Sequence, residues 1–363
     1  MSIMPASPPK RVLVAPLDWG LGHAARCIPV IRALHDRGAT VVVAGTGAHS
    51  SLIREEFPAL EFVPIVNYGM TYAGAPLLLA LKFPFMVERV LDRAGREHRE
   101  LDSLIEKHRI DLVISDQRFG CWSRRVKCVY ITHQLCVKMP RGFGLIERVI
   151  ARILRSAAER FDQVWIPDFA GDDNLTGDLT RKYPLPRNHA FIGPLSRFGT
   201  MSTDAASEPV DLLVMLSGPE PQRSMFERIV LSQLRGFQGR AVVLLGNPGA
   251  SARQSGNIEI HPHLPPARIV ALMRNARAIV CRAGYTTIME HVSLGKCAVL
   301  VPTPGQTEQE YLGARLAEKG WFACVKQADL DLRNIPSAKS ADMPQALKPG
   351  AALLEHAIDA ILR

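Results

Sequence analysis

Between Ala278 and Glu310 the chain alternates short apolar runs with helix-like segments, and its unusual polar residues fall in the turns that follow the apolar runs. Ala278–Cys281 and Ala298–Val301 have the length and composition of buried strands, and Arg282 to Thr287 reads as a turn opening a helix. Strand, helix and strand in that order point to an α/β fold with a parallel sheet. In an open sheet of this kind ligands sit in the crevice at the carboxyl ends of the strands. The turn residues suit one. Gly284 lets a backbone approach closely, Thr286 and Thr287 offer hydroxyls where helix N–H groups are unpaired, and Arg282 supplies a permanent cation. Together they would hold a phosphate or diphosphate. Glu290, one helical turn beyond Thr286, is spaced to accept hydrogen bonds from a ribose. A nucleotide is the expected ligand.

The next turn, Pro302 to Gln309, brings Gln306 and Gln309 to the same end of the sheet, where neutral amides suit sugar hydroxyls. The combination of Arg282, Gly284, Thr287 and Glu290, followed by Gly295-Lys296, a Pro302-Thr-Pro304 turn and the two glutamines, resembles the donor-binding half of GT-B glycosyltransferases of family 28. The resemblance implies the GT-B architecture, two Rossmann-like domains facing a central cleft. It also implies an inverting, metal-independent transfer of a sugar, N-acetylglucosamine first among the options, from a UDP-sugar to a hydroxyl acceptor, with no cofactor. Two other readings stay open: a nucleotide-sugar 2-epimerase on the same plan, and a non-catalytic protein that binds nucleotide sugars or a membrane surface.

Two earlier turns carry the remaining candidates. Ser217 to Arg223 follows the first strand of the second half, where the resembling enzymes have a glycine-rich loop against the diphosphate and nucleoside. Gly218 and Arg223 match that pattern, while Pro219 and Pro221 remove backbone donors from it. Asp18 to His23 follows the first strand of the chain. By the same resemblance Gly20 and Gly22 line the acceptor side, and His23, with an ordinary pKa of ~6.5, is placed to deprotonate an acceptor hydroxyl. Asp18 is the rival base, or the group that orients the other. Asp116 and His133, each in a turn after a later strand, are expected to enter the cleft near His23. Gly20, Gly22 and Ala25 also fit a loose dinucleotide fingerprint, but the second strand runs into Gly45 and Gly47 with no acidic residue for a ribose. Residues 246–251 lack the lysine of a P-loop. Asp172-Asp173 reads as a turn and Asp329 to Asp331 as a helix start, so neither is taken as a metal motif.

With 363 residues, two domains are the simpler expectation. Residues 1–197 form an acceptor-binding unit, the polar, aperiodic stretch 198–209 a linker, and 210–345 a donor-binding unit; 346–363 form a helix packing back toward the first unit, as in the resembling family. A net charge of +9 calls for an anionic partner, yet aromatic residues are only 6% and no zinc-finger or RNP pattern occurs, which argues against nucleic acid. The charge instead accompanies apolar residues. In 139–161, Arg148, Arg152 and Arg155 lie on one side of an expected helix and Ile146, Val149, Ile150, Ile153 and Leu154 on the other, a pattern shared by anionic-membrane helices and ordinary surface helices. The run 75–87 is apolar, too short to span a bilayer and broken by Lys82 and Pro84. These segments raise a lipid-linked acceptor as an option. The seven scattered cysteines fit reduced thiols rather than a metal site, and the start of the chain lacks a secretory h-region. A cytoplasmic protein, peripheral at the inner face of the membrane if it meets lipid, is the expectation.

Overall fold

The computed structural model describes residues 9–45, 47–69, 76–139, 142–199, 201, 209–247, 249–336, 343 and 351–363. In the first half, β1 (Arg11–Pro16), α1 (Leu21–His35), β2 (Thr40–Ala44), α2 (Ala48–Glu56), β3 (Glu61–Val63), α3 (Pro76–His108), β4 (Leu112–Asp116), β5 (Lys127–Ile131), α4 (Gly144–Ala158), β6 (Gln163–Ile166), α5 (Asp178–Arg181) and β7 (His189–Phe191) follow one another. Strands β1, β2 and β4 are short runs rich in Val, Ile and Leu and buried on both faces, the pattern of a parallel sheet covered by helices, while the edge strands β3 and β7 are only partly buried. The strands pair in the order β3-β2-β1-β4-β5-β6-β7, all parallel.

The second half repeats the plan with β8 (Val210–Met215), α6 (Gln222–Leu234), β9 (Ala241–Leu244), β10 (Arg253–Ser255), β11 (Ile258–His261), α7 (Pro266–Asn275), β12 (Ala276–Cys281), α8 (Tyr285–Ser293), β13 (Val299–Leu300), α9 (Thr307–Glu318) and β14 (Ala323–Cys324), closed by α10 (Ala351–Leu362). Its order is β10-β11-β9-β8-β12-β13-β14, with only β10 antiparallel. Each sheet therefore has one point where strand order reverses, between β1 and β4 and between β8 and β12. All the candidate loops named above follow strands at or beside these two points.

The core is continuous across the halves. Residues of α1 share one cluster with Tyr285, Ile288 and Met289 of α8, and α10 packs against α1, where Arg37 meets both Glu355 and Asp359 at 2.5 Å. Residues 202–208 of the expected linker lie outside the described residues. Pro76–Val87 form the start of α3, and their side chains likewise lie outside. The expected helix start at Asp329 to Asp331 is not one: a single 3₁₀ turn, Gln327–Asp329, ends there because the Asp331 carboxylate accepts from Arg333 N and Asn334 Nδ2 and caps a turn instead. Strands β10 and β14 carry no apolar run to read: Arg253–Ser255 is polar and exposed, and Ala323–Cys324 is two half-buried residues.

The loop after β4 is pressed onto α3 at Gly120, where a Cβ would stand 2.3 Å from the Ala94 carbonyl oxygen and 2.8 Å from Glu97 Cβ. The Gly120→Ala variant should lose about 1–3 kcal/mol, read as a lower midpoint in thermal unfolding. Gly144→Ala, which meets open space at the start of α4, should unfold within experimental error of the wild type.

Candidate active site

Strand β1 ends at Pro16, and the chain turns at Gly20 with φ of 77°, a left-handed conformation that glycine adopts without strain, before α1 begins. The first turn of α1 presents His23, and the next, three residues on, presents Arg26. Across the sheet's reversal point β4 ends at Asp116. All three side chains are buried. The Asp116 carboxylate receives Arg26 Nε at 2.8 Å and Arg26 Nη2 at 2.5 Å, and lies 2.8 Å from His23 Nδ1. Burial works to raise the Asp116 pKa, but the charge of Arg26 and the contact with His23 outweigh it and hold the carboxyl below its usual range. Burial and Arg26 lower the His23 pKa, so the ring is neutral at pH 7. A carboxylate can only accept, so a neutral His23 that donates to it carries its proton on Nδ1 and leaves the Nε2 lone pair free; Arg26 Nη2, which also stands 2.7 Å from Nδ1, then directs its hydrogen to Asp116 Oδ1 at 2.5 Å instead. This is a histidine–carboxylate pair, in which the acid fixes the tautomer and steadies the imidazolium formed when the ring takes a proton.

Arg26 Nη1 also meets His133 Nδ1 at 2.9 Å. His133 stacks on Tyr285 of the second half, ring centres 4.4 Å apart and planes 2° from parallel, and its Nε2 lies 3.1 Å from Glu308 Oε1. The structure thus gathers His23, Asp116 and His133. Asp18 is not brought to His23: it accepts from Tyr68 N at 2.9 Å and from Arg118 Nη1 at 3.5 Å. Asp116 takes the orienting position considered for Asp18.

The second half meets this cluster with the turns after β8, β12 and β13. Gly284 caps α8, Thr286 and Thr287 stand half-exposed in its first turn, and Thr286 Oγ1 donates to Gly22 O at 3.3 Å, so the loop carrying Gly20 and Gly22 lies against the mouth of α8. Gly218 has φ of 107° with open space where a side chain would be. Gln306 precedes α9, and Gln309 Oε1 accepts from Thr303 N at 2.9 Å, which ties it to its own turn.

Three of the expected site residues are engaged within the protein. Arg282 does not face the cleft as a free cation. It is buried over the Phe226 ring at 4.0 Å and donates to the carbonyls of Val301, Pro302 and Gln222 and to Gln327 Oε1, and burial pushes its pKa down to about 10. Arg223 is engaged by Glu220, Glu227 and the Leu245 carbonyl rather than standing at a nucleotide edge. Glu290 is buried and ion-paired with Arg197 Nε at 3.1 Å; burial raises its carboxyl pKa while Arg197 draws it back down. Helix–turn spacing located these residues, but their partners come from other strands and could not be read from it.

Four buried polar atoms at the carboxyl ends of β8, β12 and β13 have no hydrogen-bond partner: Arg282 Nε, Gln222 Oε1, Thr303 Oγ1 and Gln306 Oε1. Unpaired buried groups are costly, so these turns hold polar atoms that a bound ligand or water would satisfy. Among the described residues no group of three or more His, Cys, Asp or Glu side chains is placed to hold a metal, and no helix is long and apolar enough to cross a membrane. Arg26 and Glu308 were missed. The one local signal was that Arg26 shares the His23 face of α1 three residues on.

Residues 252–353 match the glycosyltransferase family 28 C-terminal domain. The UDP-N-acetylglucosamine--N-acetylmuramyl-(pentapeptide) pyrophosphoryl-undecaprenol N-acetylglucosamine transferase of Desulforudis audaxviator is 34% identical over 46% of this chain and 44% of its own length. An uncharacterized glycosyltransferase of Methanosarcina acetivorans is 22% identical over 86% of this chain and 84% of its own. Among solved structures, the glycosyltransferase SnogD from Streptomyces nogalater superposes with a TM-score of 0.64 at 15% identity, covering 98% of this chain and all of that one.

Replacing Asp116 by Asn should destabilise the protein by about 3–5 kcal/mol at pH 7, because Arg26 is left buried without its counter-charge. A carboxyl held below its ordinary value stabilises the fold above the unfolded pKa of ~3.9 and loses that contribution as pH falls through the folded value. The gap between wild type and Asp116→Asn in denaturant unfolding should therefore be full at pH 7 and narrow below about pH 3.9.

Proposed function

We propose that this chain, a glycosyltransferase of the GT-B fold with a family 28 C-terminal domain, transfers a sugar from a UDP-sugar to a hydroxyl acceptor by a single inverting displacement. The observation that carries the reading is the His23–Asp116 pair at the reversal point of the first sheet, with the unpaired polar atoms of the second sheet's turns across from it. His23 Nε2 takes the acceptor hydroxyl's proton as the oxygen attacks the sugar's anomeric carbon. Asp116 stabilises the imidazolium, and the nucleoside diphosphate departs from the opposite face. The N–H groups of the first turn of α8, with Thr286 and Thr287, receive the diphosphate, and Gly218 leaves room for it. Gln306 Oε1 and Thr303 Oγ1 are the unsatisfied groups for sugar hydroxyls. Arg282 and Arg223 act as braces of these turns. Glu290 meets the ribose by exchanging its Arg197 partner. N-acetylglucosamine is the sugar favoured by the named relative.

The acceptor reading comes from the first half. Between α3 and α4 lies an apolar cavity of about 510 Å³ lined by Leu91, Phe119, Trp122, Ile150, Ile153 and Leu154. On the other flank of α4 a groove of about 550 Å³ holds Arg148, Arg152 and Arg155. The crest of α4 leaves Leu145 77%, Val149 51% and Ile153 55% exposed. Apolar and cationic surfaces side by side suit an acceptor with a hydrocarbon tail and an anionic linkage, met at a membrane surface. The loops lining the cavity, Phe119 to Trp122 and Val137, continue directly from Asp116 and His133.

Calorimetric titration with UDP-N-acetylglucosamine, UDP-glucose, GDP-mannose and UDP should give selective binding of one UDP-sugar, weakened in Glu290→Ala. His23→Ala should bind that donor as tightly as wild type yet lose about 10²–10⁴-fold in transfer rate. A fully active His23→Ala enzyme removes the base assignment. In sedimentation with vesicles, the wild type should partition onto phosphatidylglycerol and not onto phosphatidylcholine, and a Val149→Asp/Ile153→Asp double variant should stay in the supernatant.

A further inference from the structure

One imidazole of the first half is gripped twice by the second. The His133 ring lies flat on Tyr285 of α8, whose hydroxyl in turn donates to Pro167 O of the first half at 2.6 Å, and His133 Nε2 meets Glu308 of α9. The hydrogen-bonding capacities fix the direction of this chain of contacts. A guanidinium has no acceptor, so Arg26 Nη1 donates to His133 Nδ1, and a neutral His133 then carries its proton on Nε2. That proton needs an acceptor, and among the described residues Glu308 is the one in reach, 3.1 Å away and contributed from the opposite half. Arg26 spends its remaining donors on Asp116 and lies 2.7 Å from His23 Nδ1. The line therefore runs Glu308, His133, Arg26, Asp116, His23, and only its first member belongs to the donor half.

We propose that Glu308 is a positioning residue that completes the histidine–carboxylate pair only when the two halves are closed, so that the base is assembled by closure itself. The inference rests on the reading of His23 as the base and adds how that base is regulated. With the halves apart, His133 loses both its Nε2 acceptor and its Tyr285 platform. Its ring can then turn, Arg26 Nη1 loses a fixed acceptor, and Arg26 no longer holds Asp116 in one orientation toward His23. Closure restores each contact in order. The charged and titratable groups facing His133 are Arg26 and His23 from α1, Glu308 from α9, and, beyond Tyr285, Asp168 and Arg181. The Glu308 carboxyl stays charged: burial would raise its pKa, but His133, Arg26 and His23 together keep it below the usual range, so it remains an anion at neutral pH.

The test compares Glu308→Ala and Glu308→Gln in the full chain by kinetics and by nitrogen NMR of the histidines. For Glu308→Ala, kcat should fall about 10²-fold, the loss associated with a misplacement of about 1 Å, while the donor KM moves less than about threefold. Glu308→Gln keeps an acceptor oxygen and should recover about tenfold of that loss. Its acid limb of kcat should move to lower pH, because an anion that favoured the His23 imidazolium is gone. With UDP present, His133 in the wild type should show the Nε2–H tautomer, and in Glu308→Ala both tautomers in exchange. Wild-type kcat in Glu308→Ala would overturn the proposal. So would a kcat loss matched by an equal weakening of UDP binding, which would make Glu308 a donor contact, and so would an unchanged His133 tautomer. The NMR measurement needs no turnover. A wild type that transfers nothing counts against the transferase reading, and the tautomer still decides the role of Glu308.

Discussion

Arg26 and Asp116 are two opposite charges almost wholly removed from water, and much of the molecule is arranged around the need to keep them together. Burying such a pair costs several kcal/mol per ion unless every remaining donor and acceptor is met. Here Asp116 is met by His23 as well as by Arg26, and Arg26 by His133 as well as by Asp116. In the closed arrangement these charges are held in fixed orientations by their protein partners, the condition under which electrostatic stabilisation is strongest. It is also why His23 is neutral, since burial and the neighbouring cation both oppose its protonation.

The two halves divide the work in different physical currencies. In the first, the polar groups near the cleft are satisfied by one another, in Arg26 with Asp116 and in Arg118 with Glu97 at 2.5 Å. In the second, cations that look free in sequence brace the turns, and Arg282 Nε with the neutral atoms of Gln222, Thr303 and Gln306 is left unmet. Charges held internally favour proton transfer, whereas unmet neutral groups favour a ligand rich in hydroxyls. The same fold drawn twice has been filled with opposite chemistries.

The parts of this arrangement legible in the sequence are those set by local burial. The runs at Arg11 to Pro16 and Ala278 to Cys281 are apolar because both sheet faces are covered, and the turns after them are polar because they end at the cleft. The family resemblance pointed to His23, and the turns at strand ends to Asp116 and His133, which the structure brings together. Local reading failed where a residue's partner lies far along the chain. Arg282 has the spacing of a phosphate ligand, yet the carbonyls after β13 take its donors. Asp18 precedes His23 by five positions, but the turn at Gly20 sends it toward Arg118. Glu308 meets a ring 175 positions earlier, a pairing that no period or spacing encodes.

The return of α10 to α1 gives the molecule a second connection between its halves, clipped by Arg37 on Glu355 and Asp359. A single covalent crossing would let one half swivel about any axis through a point. Two separated crossings leave one natural axis, the line between them, much as a door hung at top and bottom can only swing. A motion of the second half that keeps both crossings would follow that axis, and the contacts of Thr286 with Gly22 and of Glu308 with His133 would form or break together.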